Sequence, residues 1–270
     1  MAIITISRQK GSLGDKIAKA TAEKLGYNYI DKLQISKTLA QLGFSVTEID
    51  KYDEKKPSLW QTLSMHKNKF AHLIRAAVCE IAVGGNVVIV GRGGQVILKD
   101  IPGAIRLRII APYATRVARL QEQEGIEEKV AERIIRQSDR DSSGYLSNYF
   151  DADLNDNDLY DLVINTRDMT LDTSVDLIKC VVGDKDNGKS RHVAEILKDI
   201  SFTQQAEAAF LEIEGVEGVS LVVEKGVASL SGVVRASAIK IHCERVISDI
   251  KGITSVINQI IVSPENVKIF

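Results

Sequence analysis

The 270-residue sequence predicts an α/β domain with a parallel sheet flanked by helices, followed by a small α+β domain of order αββαβ. Two observations lead to this fold class. Short apolar, β-branched runs alternate with amphipathic helical stretches as far as residue 182, and beyond a polar, glycine-bearing stretch at 183–190 the strands follow one another directly. We therefore expect one domain over 1–182, a linker over 183–199 and a second domain over 200–265.

The chain opens with a strand, a glycine-containing turn and a helix. Ile3–Ile6 is typical of a buried strand, and the residues at 7–14 are mostly small or basic. The following helix ends at Gly26, and its apolar face consists of Ile17, Ala18, Ala22 and Leu25. Such a turn presents unpaired backbone N–H groups at the positive end of a helix dipole, which favours binding of a phosphate. An ordinary βα unit with a helix-capping turn is the alternative interpretation.

The composition argues against several functional classes. With 35 basic and 36 acidic residues, the chain has no overall bias towards nucleic acid or an anionic surface. Cys79, Cys180 and Cys243 lie far apart, which predicts small buried apolar residues instead of a disulfide framework or a zinc site. No secretion signal is visible, and no apolar run approaches the roughly 20 residues of a membrane span. We expect a cytoplasmic protein that binds no nucleic acid.

The opening stretch resembles the P-loop nucleoside monophosphate kinases, and most closely their cytidylate-kinase-like family. The residues that match cytidylate kinases without a gap are Gly11, Ser12, Ile17, Ala18, Lys19, Ala22, Glu23, Lys24, Leu25 and Gly26. The resemblance implies a parallel-sheet kinase fold that uses ATP and Mg²⁺. It also implies that the ATP-binding residues are Arg8, Lys10, Gly11, Ser12, Leu13, Gly14 and Asp15.

The loop departs from the usual GxxxxGK[ST] pattern at its most important positions. Gly14 stands where the phosphate-binding lysine is usually found, and Asp15 and Lys16 stand where the Ser/Thr pair is usually found. Leu13 replaces a glycine of the cytidylate-kinase-like branch. Lys10 and Lys16 are the candidates to supply the missing cation, and we count Lys16 among the catalytic residues.

Two further stretches resemble the acceptor-binding side of these kinases. Asp31 follows a short apolar stretch, and the resemblance implies contact with the acceptor, although an N-cap for the next helix explains it equally well. The apolar strand at 86–90 leads into Gly91-Arg92-Gly93-Gly94, at the end of a parallel sheet where ligands bind. The resemblance implies that Arg92 and Gly93 lie at the acceptor, with Gly93 in place of the Asp of cytidylate kinases.

A charged stretch at 121–143 resembles the lid of the same kinases. Arg133, Arg136 and Arg140 fall at i, i+3 and i+7, a spacing that places them on one helical face. The resemblance implies that they are catalytic, because lid arginines neutralise charge on the transferring phosphoryl group. Gly144 replaces a further lid arginine, and a solvated charged helix is the alternative interpretation. No metal-binding residues are predicted, because the acidic stretch at 151–158 lacks the Gly and Glu of a calcium loop.

The C-terminal region resembles a BON domain. Its predicted elements are a helix near 203–212, strands at Val219–Val223 and Val227–Ser231, a helix at 236–250 and a strand at 255–262. Gly226, Gly232 and Gly252 stand where the family has glycines. The resemblance implies contact with a membrane or a small ligand. Eight acidic against six basic residues over 201–270 do not favour an anionic lipid surface.

Together these features predict a phosphotransferase that moves the terminal phosphate of ATP to a nucleoside monophosphate, cytidylate-like, or to a similar small acceptor. The departures in the loop support an alternative, a nucleotide-binding regulatory protein with a degenerate kinase site whose BON domain binds a ligand or membrane. A scaffold that binds no nucleotide is a third possibility.

Overall fold

The computed structural model describes residues 2–43, 64–185 and 190–263. The strands of its first domain are β1 (Ile3–Arg8), β2 (Asn28–Ile30), β3 (Val87–Val90), β4 (Ala104–Ile110) and β5 (Leu162–Asn165). The helices are α1 (Gly14–Leu25), α2 (Lys32–Gln41), α3 (Ser64–Val83), α4 (Gly94–Ile97), α5 (Tyr113–Glu124), α6 (Glu128–Phe150) and α7 (Leu171–Lys185), with a 3₁₀ turn at Asn157–Leu159.

The first domain is built on a five-stranded parallel sheet of order β2-β3-β1-β4-β5. Ile3 lies opposite Val87 on one side and opposite Ala104 on the other, so β1 is the central strand. Side chains alternate between the two faces of a strand, and helices cover both faces here: Ile3 packs into the cluster that includes α3, and Ile4 into the cluster that includes α1. The predicted α/β fold is confirmed.

The structure differs from the sequence interpretation at the predicted linker. Residues 190–199 form the first half of a helix, α8 (Ser190–Phe210), because Val193 and Leu197 are buried in the core of the first domain. The Ser201 hydroxyl donates to the Ala76 carbonyl of α3 at 3.2 Å, and His72 Nδ1 lies 3.0 Å from Gln204 Oε1. Residues 186–189 lie outside the described part of the chain. Residues 190–199, which the predicted bounds place in the linker, are therefore a helix that packs against α3.

The second domain is a three-stranded sheet covered by helices on one face. Its elements are β6 (Val219–Glu224), β7 (Val227–Val234), α9 (Ser237–Ser248) and β8 (Ser255–Val262), in the sheet order β6-β7-β8. β6 and β7 are antiparallel, whereas β7 and β8 are parallel. Its core joins Phe210 of α8, Leu230 of β7 and Cys243 of α9. With α8 as the first helix, the order is the predicted αββαβ.

Two glycines of this domain are sterically required. Gly232 has a φ of 126°, and a Cβ there would lie 1.9 Å from the Gly218 carbonyl oxygen. Gly252 has a φ of 110°, and its Cβ would lie 2.4 Å from Cζ of Phe202 on α8. Both positions therefore need glycine for close approach of the chain, which gives these sequence matches a structural reason.

The cysteines only partly follow the prediction. Cys79 and Cys243 are buried, and burial raises the pKa of Cys79 to about 12. Cys180 is exposed, so its prediction as a buried residue is wrong. None of the helices within 2–43, 64–185 and 190–263 is long and apolar enough to cross a membrane.

We predict that Leu197→Ala lowers the free energy of unfolding of the full chain by about 2–5 kcal/mol, because Leu197 is 0% exposed in the core shared with α3. Urea denaturation measures the change. Lys198→Ala, at the exposed neighbouring position, is the control and should change stability little. Equal stabilities of the two variants would show that α8 is not part of the first domain's core.

Candidate functional site

The loop at 9–13 joins β1 to α1 at the carboxyl edge of the sheet. The Gln9 backbone N–H donates to the Ile109 carbonyl at 3.0 Å, and its side-chain Oε1 accepts from the Ala111 N–H at 3.1 Å. The Ser12 N–H donates to the Gln9 carbonyl at 3.1 Å. These bonds fix the start of the loop against the end of β4. Gln9 is absent from the predicted site residues.

Residues after β5 and on α5 hold the other side of the loop. The Thr166 hydroxyl, fully buried, donates to the Ser12 carbonyl at 2.9 Å and accepts from Arg119 Nη1 at 2.9 Å. Arg119 Nη2 also donates to the Thr166 carbonyl at 2.6 Å. The loop carbonyl thus has a partner supplied by elements that are distant in the sequence.

The first turn of α1 has free donors. Leu13 is the N-cap residue and has a left-handed conformation with a φ of 65°. Its apolar side chain has no atom that can accept a capping hydrogen bond, so the helix is not capped by its N-cap side chain. The first helical bond runs from the Ile17 N–H to the Leu13 carbonyl, and within the described residues the N–H groups at 13–16 donate no hydrogen bond. The Ser12 hydroxyl is buried and has no hydrogen-bond partner among the residues that the structure describes. These donors lie at the positive end of the α1 dipole, so the loop can bind a polyanion.

Steric contacts explain why glycines occupy positions 11 and 14. A Cβ at Gly14 would lie 2.4 Å from the Cβ of Arg8, so the lysine of the usual pattern cannot stand here without a shift of β1. Gly11 has a φ of 80°, and a Cβ there would lie 2.8 Å from the Arg116 carbonyl oxygen. The backbone path in this loop therefore leaves no room for a lysine side chain at position 14.

The cations around the loop differ in whether they are paired. Arg8 Nε lies 2.8 Å from Asp15 Oδ1, and Lys10 Nζ lies 3.3 Å from Glu124 Oε1. Lys16 is exposed and forms no ion pair with any residue that the structure describes. Of the two candidates for the missing cation, Lys16 is therefore the more available.

Arg116 of α5, which is not among the predicted site residues, joins the loop to α6. It is 4% exposed, and its Nη1 and Nη2 donate to the two carboxylate oxygens of Asp139 at 2.9 and 2.8 Å. Nη1 also lies 3.4 Å from the Lys10 carbonyl, and Nε is buried without a partner. A bidentate pair of this kind fixes orientation as well as charge. It therefore sets the position of α6 relative to the loop.

The predicted lid arginines lie on α6, but the structure brings only one of them to α5. Arg136 Nε donates to the Tyr113 hydroxyl at 2.9 Å, and its Cζ lies 5.6 Å from the ring centroid. Arg140 bonds to Gln137 at 2.7 Å, whereas Arg133 is exposed and has no polar partner among the described residues. None of the three forms a hydrogen bond with the described loop residues 8–15. The reason is that α6 packs on α5 through Ala131 and Ile135, so the arginines lie towards solvent.

Asp31 has a structural role at the start of α2. Its Oδ1 accepts from the N–H groups of Leu33 at 2.8 Å and Gln34 at 3.4 Å, and Gln34 Oε1 accepts from the Asp31 N–H at 3.2 Å. This is a capping box, so the N-cap interpretation accounts for Asp31. Its contact with an acceptor stays a prediction.

Arg92 and Gly93 lie where β3 ends, beside the loop, because β1 and β3 are neighbouring strands. Arg92 is 6% exposed, with a φ of 55°, and its Cζ lies 5.5 Å above the Tyr145 ring of α6. A Cβ at Gly93 would lie 2.5 Å from Cε2 of Phe150. The Phe150 ring, at the C-terminal end of α6, therefore fills the space that a side chain at position 93 would need, which explains the glycine.

The comparisons with known proteins agree with this geometry. A family model described as the cytidylate kinase-like family matches residues 3–168. The chain belongs to this family. The cytidylate kinase of Pyrococcus horikoshii is 30% identical over 203 residues, which cover 71% of this chain and 96% of that protein. That of Methanocaldococcus jannaschii is 30% identical over 167 residues, covering 61% and 88%.

One solved structure supports the fold of this family member. An uncharacterized protein from Eubacterium ventriosum superposes with a TM-score of 0.55 at 24% identity, covering 68% of this chain and 99% of that one. The family match ends at residue 168, so the family assignment concerns the parallel-sheet domain.

We predict that Gly14→Ala lowers the free energy of unfolding by about 1–3 kcal/mol, because the new methyl group meets Arg8 Cβ and β1 must move. Gly144→Ala is the control, since a Cβ at Gly144 of α6 meets no atom within 4 Å. Urea denaturation of both variants compares them. A Gly14→Ala variant as stable as Gly144→Ala would contradict the steric explanation.

We also predict that Asp139→Asn destabilises the chain by about 1–3 kcal/mol, because it leaves the buried Arg116 without a counter-charge. The lower end of the range reflects the 38% exposure of the Asp139 side chain, which lets solvent screen the pair. Thermal and urea unfolding measure the effect. Asp141→Asn, on the same helix and bonded to the Gln137 amide, should have a smaller effect.

Proposed function

We propose that the protein transfers the terminal phosphate of ATP to a small anionic acceptor, a nucleoside monophosphate such as cytidylate being the leading candidate. The observation that supports this most is the set of unpartnered donors at the start of α1, the Ser12 hydroxyl included, at the carboxyl edge of a parallel sheet. Membership of the cytidylate kinase-like family supports the reaction class.

Each proposed residue has a role that its surroundings permit. The N–H groups at 13–16 would bind the donor phosphates, with Lys16 supplying the cation that Gly14 cannot. Arg92 would hold the acceptor, and Arg133, Arg136 and Arg140 would neutralise charge on the transferring phosphoryl group. Phosphoryl transfer depends mainly on positioning and charge neutralisation, so no covalent nucleophile is needed.

The loop offers an oxygen ligand for Mg²⁺. Asp15 stands where the usual pattern has a Ser/Thr hydroxyl, and its carboxylate is 58% exposed. Within the described ranges no three His, Cys, Asp or Glu residues form a metal cluster. Mg²⁺ at phosphate sites is usually held by one or two carboxylates together with water and substrate phosphates. Asp15 would hold the ion, which when bound neutralises charge on the phosphates.

A nucleotide-binding regulatory protein is a second candidate function. The two observations that favour it are that Gly14 excludes the phosphate-binding lysine and that Asp15 already pairs with Arg8. In this case ATP binds but is not consumed.

We further propose that the αββαβ unit is a BON domain that contacts a small ligand or a membrane. The order of its elements and the steric need for glycine at 232 and 252 support this assignment. The division into domains at 1–182 and 200–265 is part of the same proposal, with α8 packing on both.

The decisive experiment measures ADP formation from ATP and Mg²⁺ with a panel of nucleoside monophosphates. We expect turnover with at least one acceptor, and a fall in kcat/KM of about 100-fold in Arg92→Ala, because removal of a charge-stabilising donor has effects of this size. Arg245→Ala, at an exposed position of the second domain, is the control. ATP binding without ADP formation would support the regulatory function, and absence of ATP binding by calorimetry would support a scaffold.

A further inference from the structure

Arg75 is a half-buried arginine in the middle of α3 whose surroundings do not balance its charge. Its Cζ lies 5.0 Å from the centroid of the Phe150 ring, and it forms no hydrogen bond or ion pair with any residue in the described part of the chain. Burial lowers its pKa. A guanidinium that is partly removed from water without a carboxylate beside it is unfavourable, and an anionic ligand would relieve that cost.

The topology places Arg75 at the acceptor side of the sheet. α3 leads into β3, and Arg75 precedes the last residue of α3, Val83, by eight residues, or about 12 Å at 1.5 Å per residue. The four residues of β3 rise about 13 Å in the return direction. Arg75 is therefore level with the carboxyl end of β3, where Arg92 follows.

Aromatic rings of α6 connect the two arginines. The Phe150 ring centroid lies 5.0 Å from Arg75 Cζ, and its Cε2 atom would lie 2.5 Å from a Cβ placed at Gly93. Arg92 lies over the Tyr145 ring, and the centroids of Tyr145 and Phe150 are 6.0 Å apart. The two guanidiniums therefore flank one aromatic cluster at the edge of the sheet where the donor loop also lies.

We propose that Arg75, together with Arg92, binds the phosphate group of the acceptor. The description of the ligand as an acceptor rests on the proposed function, whereas the assignment of an anion-binding site to Arg75 and Arg92 does not. Two guanidiniums supply charge and paired N–H donors that suit phosphate oxygens. Phe150 fills the space beside Gly93, and the Phe150 and Tyr145 rings of α6 lie against the two guanidiniums.

The test measures binding of CMP, cytidine and inorganic phosphate to the full chain by calorimetry, without ATP. Arg75→Gln keeps much of the side-chain stem and removes the charge. We expect it to weaken CMP and phosphate binding at least about tenfold, the usual effect of losing a charge-assisted hydrogen bond, and to leave cytidine binding unchanged. Arg75→Lys should recover part of the affinity. Arg245→Gln, at the exposed position in the second domain, should match the unmodified chain.

Two further readouts separate the outcomes. An unchanged ATP-induced rise in Tm of Arg75→Gln shows that the variant is folded and that the donor site is intact. In turnover, KM for the acceptor should rise while KM for ATP stays the same. Unaltered CMP and phosphate affinities of Arg75→Gln overturn the inference, as does a chain that binds neither probe. Arginine-dependent phosphate binding without ADP formation would support the anion site and contradict the transferase.

Discussion

The site depends on how the loop between β1 and α1 is held from outside. The Ser12 carbonyl is bonded to Thr166, the Lys10 carbonyl lies near Arg116, and the Gln9 side chain accepts from the end of β4. Because distant elements satisfy these acceptors, the loop keeps its fold without using the N–H groups of the first turn of α1. Those groups are then available to a ligand, and close contacts at Gly11 and Gly14 leave no room for side chains there. The same packing leaves no room at position 14 for the lysine of the usual P-loop pattern.

Two helices carry the rest of the site and connect it to the remainder of the chain. α6 is joined to the loop through Arg116 and Asp139, and its aromatic end reaches the turn after β3. α3 contacts that aromatic end through Arg75 and meets α8 through His72 and the Ala76 carbonyl. The helix α8, which forms part of the second domain's core, therefore packs on the same helix that carries Arg75.

The sequence interpretation agrees with the structure at residues whose role depends on their own backbone conformation. Gly11 and Gly14 stand at positions that need glycine, and the β1–loop–α1 unit and the family resemblance are confirmed. For Asp31 the sequence left two interpretations open, because an aspartate at this position suits both a helix N-cap and an acceptor contact. The capping box accounts for the residue. The roles of Arg133, Arg136 and Arg140 stay predictions. Arg116 and Arg75 are missing from the predicted set because their importance comes from partners on other elements, although a lone arginine in the apolar run Leu73–Cys79 is a signal for Arg75.

Local sequence was sufficient to predict the α/β fold class, the parallel sheet and the β1–loop–α1 unit. Periodicity, glycine sterics and helix-capping chemistry act within a few residues, so a single stretch of sequence carries them. Tertiary packing alone decided that 190–199 is helical, that Arg8 pairs with Asp15, and that Arg116 joins the loop to α6. Burial and ion pairing depend on which distant side chains share a space, and residue spacing along the chain does not contain that information.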